Sequence, residues 1–379
     1  MSLFLLMFFL LYGGVHMYAF VKARSAIGFG VTSAWLIGIF MAVMVVAPVL
    51  VRLAEGQGHE LLARSLAYTG YVWMGFLFLF FSLSLAIDLY HGLLLAVQKL
   101  TRTDLRSLYL SSRASFSAAV LWGGAVSIYG VFEARKIRSE KLVISTSKLP
   151  AGVDRLRIVQ VSDVHLGLIV RDERIARIAR VIAEAGPDLL VSTGDLVDGQ
   201  IDGLTEIARM FGKISPRYGK YAVTGNHEFY AGLKSSLAIT TVAGFRVLRG
   251  ESVSLGEFLT VVGVDDPAVR HGSAFAGREE ASLLAVLPRE RFTLLLKHRP
   301  LIEPKSLGLF DLQLSGHVHK GQIFPFNLLT HLFYPVPVGL SRHEENSLLY
   351  VSRGTGTWGP PIRFLSPPEV TIIDLIRSS

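Results

Sequence analysis

The chain has no cysteine anywhere in its 379 residues. That excludes disulfides, thiolate metal ligands and a cysteine nucleophile. It does not fix a compartment, because disulfide-free proteins occur on both sides of a membrane. Charge is scarce too. Asp, Glu, Lys and Arg make up 18% of the chain against 51% hydrophobic residues, and mean hydropathy is +0.45. Such a chain is too apolar to be wholly soluble, so part of it belongs in lipid. The polar half lacks a basic patch. Residues 1–148 hold 13 Lys/Arg and 6 Asp/Glu, whereas residues 149–379 hold 25 and 24, so nearly all of the formal charge of +8 lies among apolar segments. Charge placed that way flanks membrane helices, and no nucleic-acid partner is expected. There is no internal repeat, low-complexity tract or GxxxG face.

What is present divides at about residue 148. Four runs, roughly Leu3–Phe20, Val31–Val51, Leu66–Ile87 and Ala114–Phe132, are long enough as helix to cross the ~30 Å hydrocarbon layer. The first lacks a basic leader and a small-x-small cleavage site and is followed by more spans, so it reads as an uncleaved helix rather than a signal peptide. Tyr12, Tyr18, Tyr68, Tyr71, Trp73 and Tyr129 suit either interfacial anchoring or helix packing. Asp88 and His91 read as polar residues at the end of the third span. Lys22, Arg24, Lys99, Arg102, Arg106 and Arg113 fall on one side of the membrane. Arg52 and Arg64 fall on the other, with Arg135, Lys136, Arg138 and Lys141. Setting aside those last four, which lead into a folded region, the bias places both termini and the polar half outside the cytoplasm. Residues 133–150 form a polar, basic exit followed by an entry strand. Four short-looped helices with few polar groups offer little from which to build a transport pathway.

From Arg155 onward, apolar runs alternate with helical patterns, the signature of an α/β layer fold. Helices are expected at Asp172–Ala185, Gly203–Ile214 and Leu233–Ala243. Strands are expected at Arg155–Asp163, Asp188–Thr193, Lys220–Thr224, Phe258–Val264, Phe292–Lys297, Asp311–Leu314, Leu348–Val351 and Val370–Leu375. Five of these strands break into potential metal ligands. VSDVHLG carries Asp163 and His165, which share a face if the chain there is extended. TGDLVD carries Asp195 and Asp198, TGNHE carries Asn226, His227 and Glu228, KHRP carries His298, and SGHVHKGQ carries His317 and His319. A single D-x-H is a weak signal, but five strand ends bearing carboxylate, amide and imidazole are what a dinuclear hydrolase site requires. A carboxylate can bridge two cations, and oxygen and imidazole donors suit Mn, Fe or Zn.

SDVHLG, GDLVDG, GNHE, KHRP and GHVHKGQ, in that order, resemble the calcineurin-like metallophosphoesterase superfamily over roughly residues 155–375. The tail YVSRGTGTWGPPIRFLSPPEVTIIDL and the Gly-Gln after the last histidine resemble its bacterial membrane-attached branch, whose N-terminal transmembrane helices the four apolar runs also resemble. Lys320 departs from the small residue common there, which bears on substrate preference. The resemblance implies a four-layer sandwich of two packed mixed β-sheets flanked by helices, residues 149–379, after an all-α transmembrane region, residues 1–148. It implies one divalent ion held by Asp163, His165, Asp195 and His319 and a second by Asp195, Asn226, His298 and His317, with Mn²⁺ the expected metal. The implied chemistry is hydrolysis of a phosphodiester or pyrophosphate by a metal-bridging hydroxide, with Asp195 bridging and His227 protonating the leaving oxygen. A multi-pass protein of the bacterial cytoplasmic membrane, acting on a phosphorylated small molecule or a lipid-linked or envelope substrate beside the bilayer, follows. The alternative is a silent metal-binding scaffold or sensor, for which ligands are usually replaced. Asp198 reads as a ligand-orienting group or a helix cap. Arg353 and Arg363 read as a phosphate clamp or, more simply, salt bridges. Glu228 reads as a loop charge, Lys320 as substrate steering or surface, and His271, His331 and His343 as structural or surface.

Overall fold

The structure, a computed structural model, describes residues 3–199, 203–268 and 279–378; His271 lies outside the described residues. The chain divides into two compact units, Met1–Phe132 with the short segment Gly359–Ile362, and Glu133–Trp358 with Arg363–Ser379.

The first unit is four helices, α1 (Leu3–Ile27), α2 (Val31–Gly56), α3 (Glu60–Thr101) and α4 (Ser112–Glu133). Each lies in a segment long and apolar enough to cross a membrane. With 42 residues, α3 runs ~63 Å at ~1.5 Å per residue, about twice the hydrocarbon thickness. It therefore continues well beyond Leu66–Ile87, because good helix formers, among them Leu93, Leu94, Leu95 and Ala96, follow Asp88 and prolong the backbone ladder. Asp88 and His91 consequently sit inside a helix rather than at its end. Tyr18 Oη donates to Asp88 Oδ2 at 2.6 Å and Lys22 pairs with Oδ1, while His91 Nε2 accepts the Leu110 N–H at 3.1 Å. Trp73 Nε1 donates to His16 Nε2 at 2.9 Å, and Trp73 and Tyr12 pack against buried Leu77, Phe80 and Ala119. For those two aromatics the observed role is packing.

The second unit is built on two six-stranded mixed sheets. Its strands are β1 (Arg138–Thr146), β2 (Arg155–Val161), β3 (Leu189–Ser192), β4 (Lys220–Ala222), β5 (Arg246–Val247), β6 (Glu251–Leu255), β7 (Leu259–Gly263), β8 (Phe292–Leu296), β9 (Leu312–Ser315), β10 (Gly339–Arg342), β11 (Leu348–Val351) and β12 (Glu369–Arg377). The first sheet runs β1-β12-β2-β3-β4-β5, with β2 to β5 parallel. The second runs β10-β11-β9-β8-β7-β6, with β11, β9, β8 and β7 parallel. β1 pairs along its whole length with β12, so the entry strand belongs to the first sheet.

Alternation along the strands produces the layers. Ile158, Leu189 and Val191 of the first sheet meet Val261, Leu294 and Leu314 of the second in one buried core. Val159, Val161 and Leu190 point the other way, against α5 (Asp172–Ala185), α6 (Thr205–Gly212) and α8 (Leu233–Val242), which bury Ile175, Ile178, Ile182, Ile207, Phe211 and Ile239. On the outer face of the second sheet, Val262 and Leu295 pack on Leu283 and Leu284 of α9 (Glu280–Ala285). In this unit the strands and helices expected from Arg155 onward all form, with ends shifted by up to two residues because strand and helix ends fray.

Arg157 Nε and Nη2 donate to the two oxygens of Asp374 at 2.7 and 2.8 Å, joining β2 to β12. Those hydrogen bonds hold Asp374 below its ordinary carboxylate range. A depressed carboxylate contributes stability above its unfolded pKa of ~3.9 that is lost as pH falls through the folded value. Arg157→Met should therefore cost about 1 kcal/mol near neutrality, a melting midpoint about 2–4 °C lower. In thermal melts at several pH values, the gap to the unsubstituted protein should close below about pH 4.

Candidate metal centre

Five of the strands end at one place. The carboxyl ends of β2, β3 and β4 are adjacent in the first sheet, and those of β8 and β9 in the second. Gln160 ties the sheets there, its Nε2 donating to Thr193 Oγ1 at 2.9 Å and Ser315 O at 3.2 Å. The backbone then turns abruptly. Asp163, His165, Asp195, His317 and His319 all have φ between 47° and 71°, a left-handed region that non-glycine residues seldom enter and that clusters at functional sites. Asp163 and His165 therefore do not share a face of an extended chain, as the D-x-H spacing suggested. They converge because each sits in a turn conformation, their N–H groups donating to Gly194 O and Asp195 O at 3.0 Å.

Two glycines allow the turns to nest. A Cβ on Gly225 would lie 2.1 Å from Asp195 Oδ1, and one on Gly316 would lie 1.9 Å from Ser162 Oγ and 2.2 Å from Asp163 Oδ2. Both are closer than any heavy atom can approach, so TGN and SGH need glycine before the ligand.

Two groups of donors result. Asp163, His165 and His319 form one, with His165 Nε2 and His319 Nε2 3.1 Å apart and His319 Nε2 3.3 Å from Asp163 Oδ1. Asp195, His298 and His317 form the other, with His298 Nε2 3.2 Å from Asp195 Oδ2 and 3.1 Å from His317 Nδ1. Asp195 also clusters with His165 and His227, so it faces both groups. Asn226 supplies a buried Oδ1 with no hydrogen-bond partner, which is the kind of orphaned acceptor a cation satisfies. Oxygen and imidazole donors without thiolate, arranged about a shared carboxylate, fit two hard or borderline divalent ions.

The surroundings hold the donors in place. The backbone N–H of His317 is shared between both oxygens of Asp163 at 3.0 and 3.1 Å, and that of His227 donates to Asp195 Oδ1 at 2.9 Å. His298 Nδ1 donates to Thr193 O at 2.8 Å, which leaves Nε2 for the centre. Tyr334 Oη lies 3.0 Å from His317 Nε2, so Nδ1 is the nitrogen presented inward. Burial opposes charge on Asp163 and Asp195, yet the surrounding histidines hold both well below the carboxylate range. His298 is raised to about 10 because Asp195 and Asp163 overcome its burial. His317 and His319 are each pushed down to about 4, by burial first. Burial thus favours their neutral form, the one that ligates.

His227 is close to the centre but held differently. Its Nδ1 donates to Asp198 O at 2.8 Å and lies 3.1 Å from Asp198 Oδ1. Burial would lower its pKa, but Asp198 and Asp195 raise it to about 9. Asp198 also lies 3.3 Å from His165 Nδ1. It therefore orients side chains, and it caps none of the described helices.

Two residues differ from their reading in the sequence. Glu228 is buried: its carboxylate accepts the N–H groups of Asp195, Leu196, Val197 and Gly225, at 3.0, 2.8, 3.3 and 2.6 Å, locking TGDLV to TGNHE. Arg363, with 0% exposure, can neither clamp a phosphate nor, among the described residues, meet a carboxylate within ion-pair distance. It donates to Arg353 O at 2.7 Å and Gly356 O at 2.6 Å, and its Nη2 lies 3.0 Å from His319 Nδ1. Tyr334 attracted no notice because only the fold brings it to His317. The lone signal in the sequence for Glu228 was its place two residues after Asn226. Arg353 does form salt bridges, to Glu369 and Glu140, while Lys320 is exposed.

Residues 156–321 match the family model described as calcineurin-like phosphoesterase. An uncharacterized metallophosphoesterase of Aquifex aeolicus is 40% identical over 68% of this chain and 97% of its own length. A zebrafish transmembrane protein with a metallophosphoesterase domain is 33% identical over 68% of this chain, which spans 62% of that protein. Among solved structures, a dimetal phosphatase from Danio rerio is similar over 58% of this chain and 91% of its own, with 13% identity and a TM-score of 0.38.

Glu228→Ala strands up to four backbone donors, at about 1–3 kcal/mol each. The expected outcome is a loss of about 3 kcal/mol or more in thermal unfolding, with less metal retained per chain by elemental analysis.

Proposed function

The chain belongs to the calcineurin-like metallophosphoesterases, and from that premise we propose that it is a membrane-anchored, two-metal hydrolase of phosphodiester or pyrophosphate bonds. Its substrate is a membrane-associated or envelope phosphoester. The observation that carries the reading is the convergence of seven donors from five strand ends about one shared carboxylate, with the buried Asn226 Oδ1 still lacking a partner.

We assign Asp163, His165, Asp195 and His319 to one ion and Asp195, Asn226, His298 and His317 to the other. Bound divalent cations supply positive charge that acidifies water and draws in the phosphoryl oxygens. The chain's own residues do the rest. Asp195 Oδ2 faces both groups, 3.2 Å from His298 Nε2 and 3.9 Å from His165 Nε2, while Oδ1 is steadied by the His227 N–H. His227, with Nδ1 engaged by Asp198, is left with Nε2 to pass a proton to the leaving oxygen. Tyr334 and Thr193 fix which nitrogen His317 and His298 present. Every expected ligand position is filled, which favours turnover over a silent scaffold.

The four candidate spans, with the zebrafish relative's name, support membrane attachment. The loop charges support a catalytic unit outside the cytoplasm.

Asp195→Asn should lose at least one bound ion per chain and about 10³-fold in hydrolysis of an aryl phosphodiester. His227→Ala should keep both ions and lose about 10²–10⁴-fold. Metal content measured beside rate separates the two roles; full activity in His227→Ala would remove it from the chemistry. A fluorescent protein that matures only in the cytoplasm, fused after Ser379, should stay dark, and a bright fusion would reverse the orientation.

A further inference from the structure

Gly321 to Leu340, in the polar half of the chain, contains no Asp, Glu, Lys or Arg. The segment follows His319 and Lys320 directly and folds into α10 (Phe326–Phe333), in which no residue is buried. Leu328, Leu332 and Phe333 are 67%, 75% and 68% exposed, and Phe324, Leu329 and Leu340 are exposed as well. A soluble surface scatters such side chains singly, and concentrating them marks an interaction face. A cavity of about 660 Å³ lies alongside, its wall apolar at Leu328, Val338 and Leu340 and charged at Glu140, Lys141 and Arg353, with Leu142 of β1 between.

We propose that this face seats in the surface of a lipid bilayer, with α10 lying in the interfacial plane. The inference rests on the membrane-anchored reading above and extends it to the unit that bears the site. Three observations select lipid over another occupant. The same chain carries four candidate spans. β1, which lines the cavity, starts at Arg138, five residues after α4 ends at Glu133. The charge-free segment is bracketed by the exposed cations Lys320 and Arg342, which is how an apolar insertion between phosphate-level anchors is built. Helices of this kind enter the headgroup–acyl boundary by about 5–10 Å. The docked segment leads into Tyr334, whose hydroxyl is 3.0 Å from His317 Nε2. A phosphoester held at headgroup level would thus meet the centre without leaving the membrane surface, so the face delivers an amphiphilic substrate sideways.

The lack of cysteine makes the test direct. Single cysteines at Leu332, at Leu36 in α2 and at Glu290 on the polar unit are labelled with an environment-sensitive dye in the full chain. Each is reconstituted in phosphatidylcholine–phosphatidylglycerol vesicles with and without nitroxide-bearing acyl chains. The Leu332→Cys dye should be quenched by nitroxide like the Leu36→Cys dye and at least about threefold more than the Glu290→Cys dye. Because insertion is apolar, about 0.5 M NaCl should lower the nitroxide quenching only modestly, by screening Lys320 and Arg342 from lipid phosphate. A Leu332→Cys dye quenched by aqueous iodide like Glu290→Cys overturns the docking while leaving the anchor standing. Protection from both quenchers, with cross-linking between chains, overturns it in favour of a second copy. If the Leu36→Cys dye is not quenched by nitroxide, the membrane reading itself falls, and this inference with it.

Discussion

Asp163 and Asp195 are taken out of water with their charges intact, and most features of the second unit answer to that constraint. An isolated buried carboxylate costs several kcal/mol, so its surroundings must return an equivalent interaction. Here that comes from backbone N–H groups of His317 and His227 and from a shell of imidazoles. Donors can approach so closely only where no Cβ stands in the way, as at Gly225 and Gly316. The left-handed conformations of Asp163 and Asp195 follow from the same crowding. Local backbone strain is sustained by interactions that each become available only when the others are in place.

The double sheet gives those turns a rigid base. Parallel strands finish in register, Val161 opposite Ser192 and Ser192 opposite Ala222, so their following residues emerge at one level. The second sheet brings His298, His317 and His319 to the same level from the opposite side of a dry core. Around them, Glu228 and Arg363 do complementary work. The buried anion gathers backbone N–H groups, and the buried cation gathers backbone carbonyls. Together they satisfy main-chain groups of loops that have no strand partner.

A second physical theme is the distribution of apolar surface. In the first unit, exposed side chains such as Trp35, Leu36 and Leu121 lie on helices suited to hydrocarbon, where exposure to water never arises. In the second unit most large apolar groups of the described residues are buried between or outside the sheets, and exposed ones such as Val143, Val286 and Leu365 stand singly. The face around α10 departs from that rule, and it does so next to the catalytic candidates rather than at a random site.

Most of the fold was legible in the sequence, because the information is local. Alternating apolar runs betray strands by their two-residue period, helices such as Asp172–Ala185 by their 3.6-residue period, and spans by length alone. The motifs that carry the candidate donors were legible for a related reason: short chains of glycine and donor residues carry their own turn chemistry. Local pattern could not reveal whatever depends on distant segments meeting. Tyr334 is ordinary until the fold sets it against His317, 17 residues away, and Arg363 reads as a phosphate clamp or a salt-bridge partner until the loop of Gly354 and Gly356 closes over it. Glu228 differs from a loop charge only because the Asp195 turn, more than 30 residues earlier, lacks partners that it supplies. Even the pairing of Asp163 with His165, evident from spacing, is achieved through paired left-handed turns and not an extended strand. Sequence alone determined which residues could bind a metal. Tertiary structure decided how they are held, since burial and the closing of distant loops set the charge, tautomer and direction of each side chain.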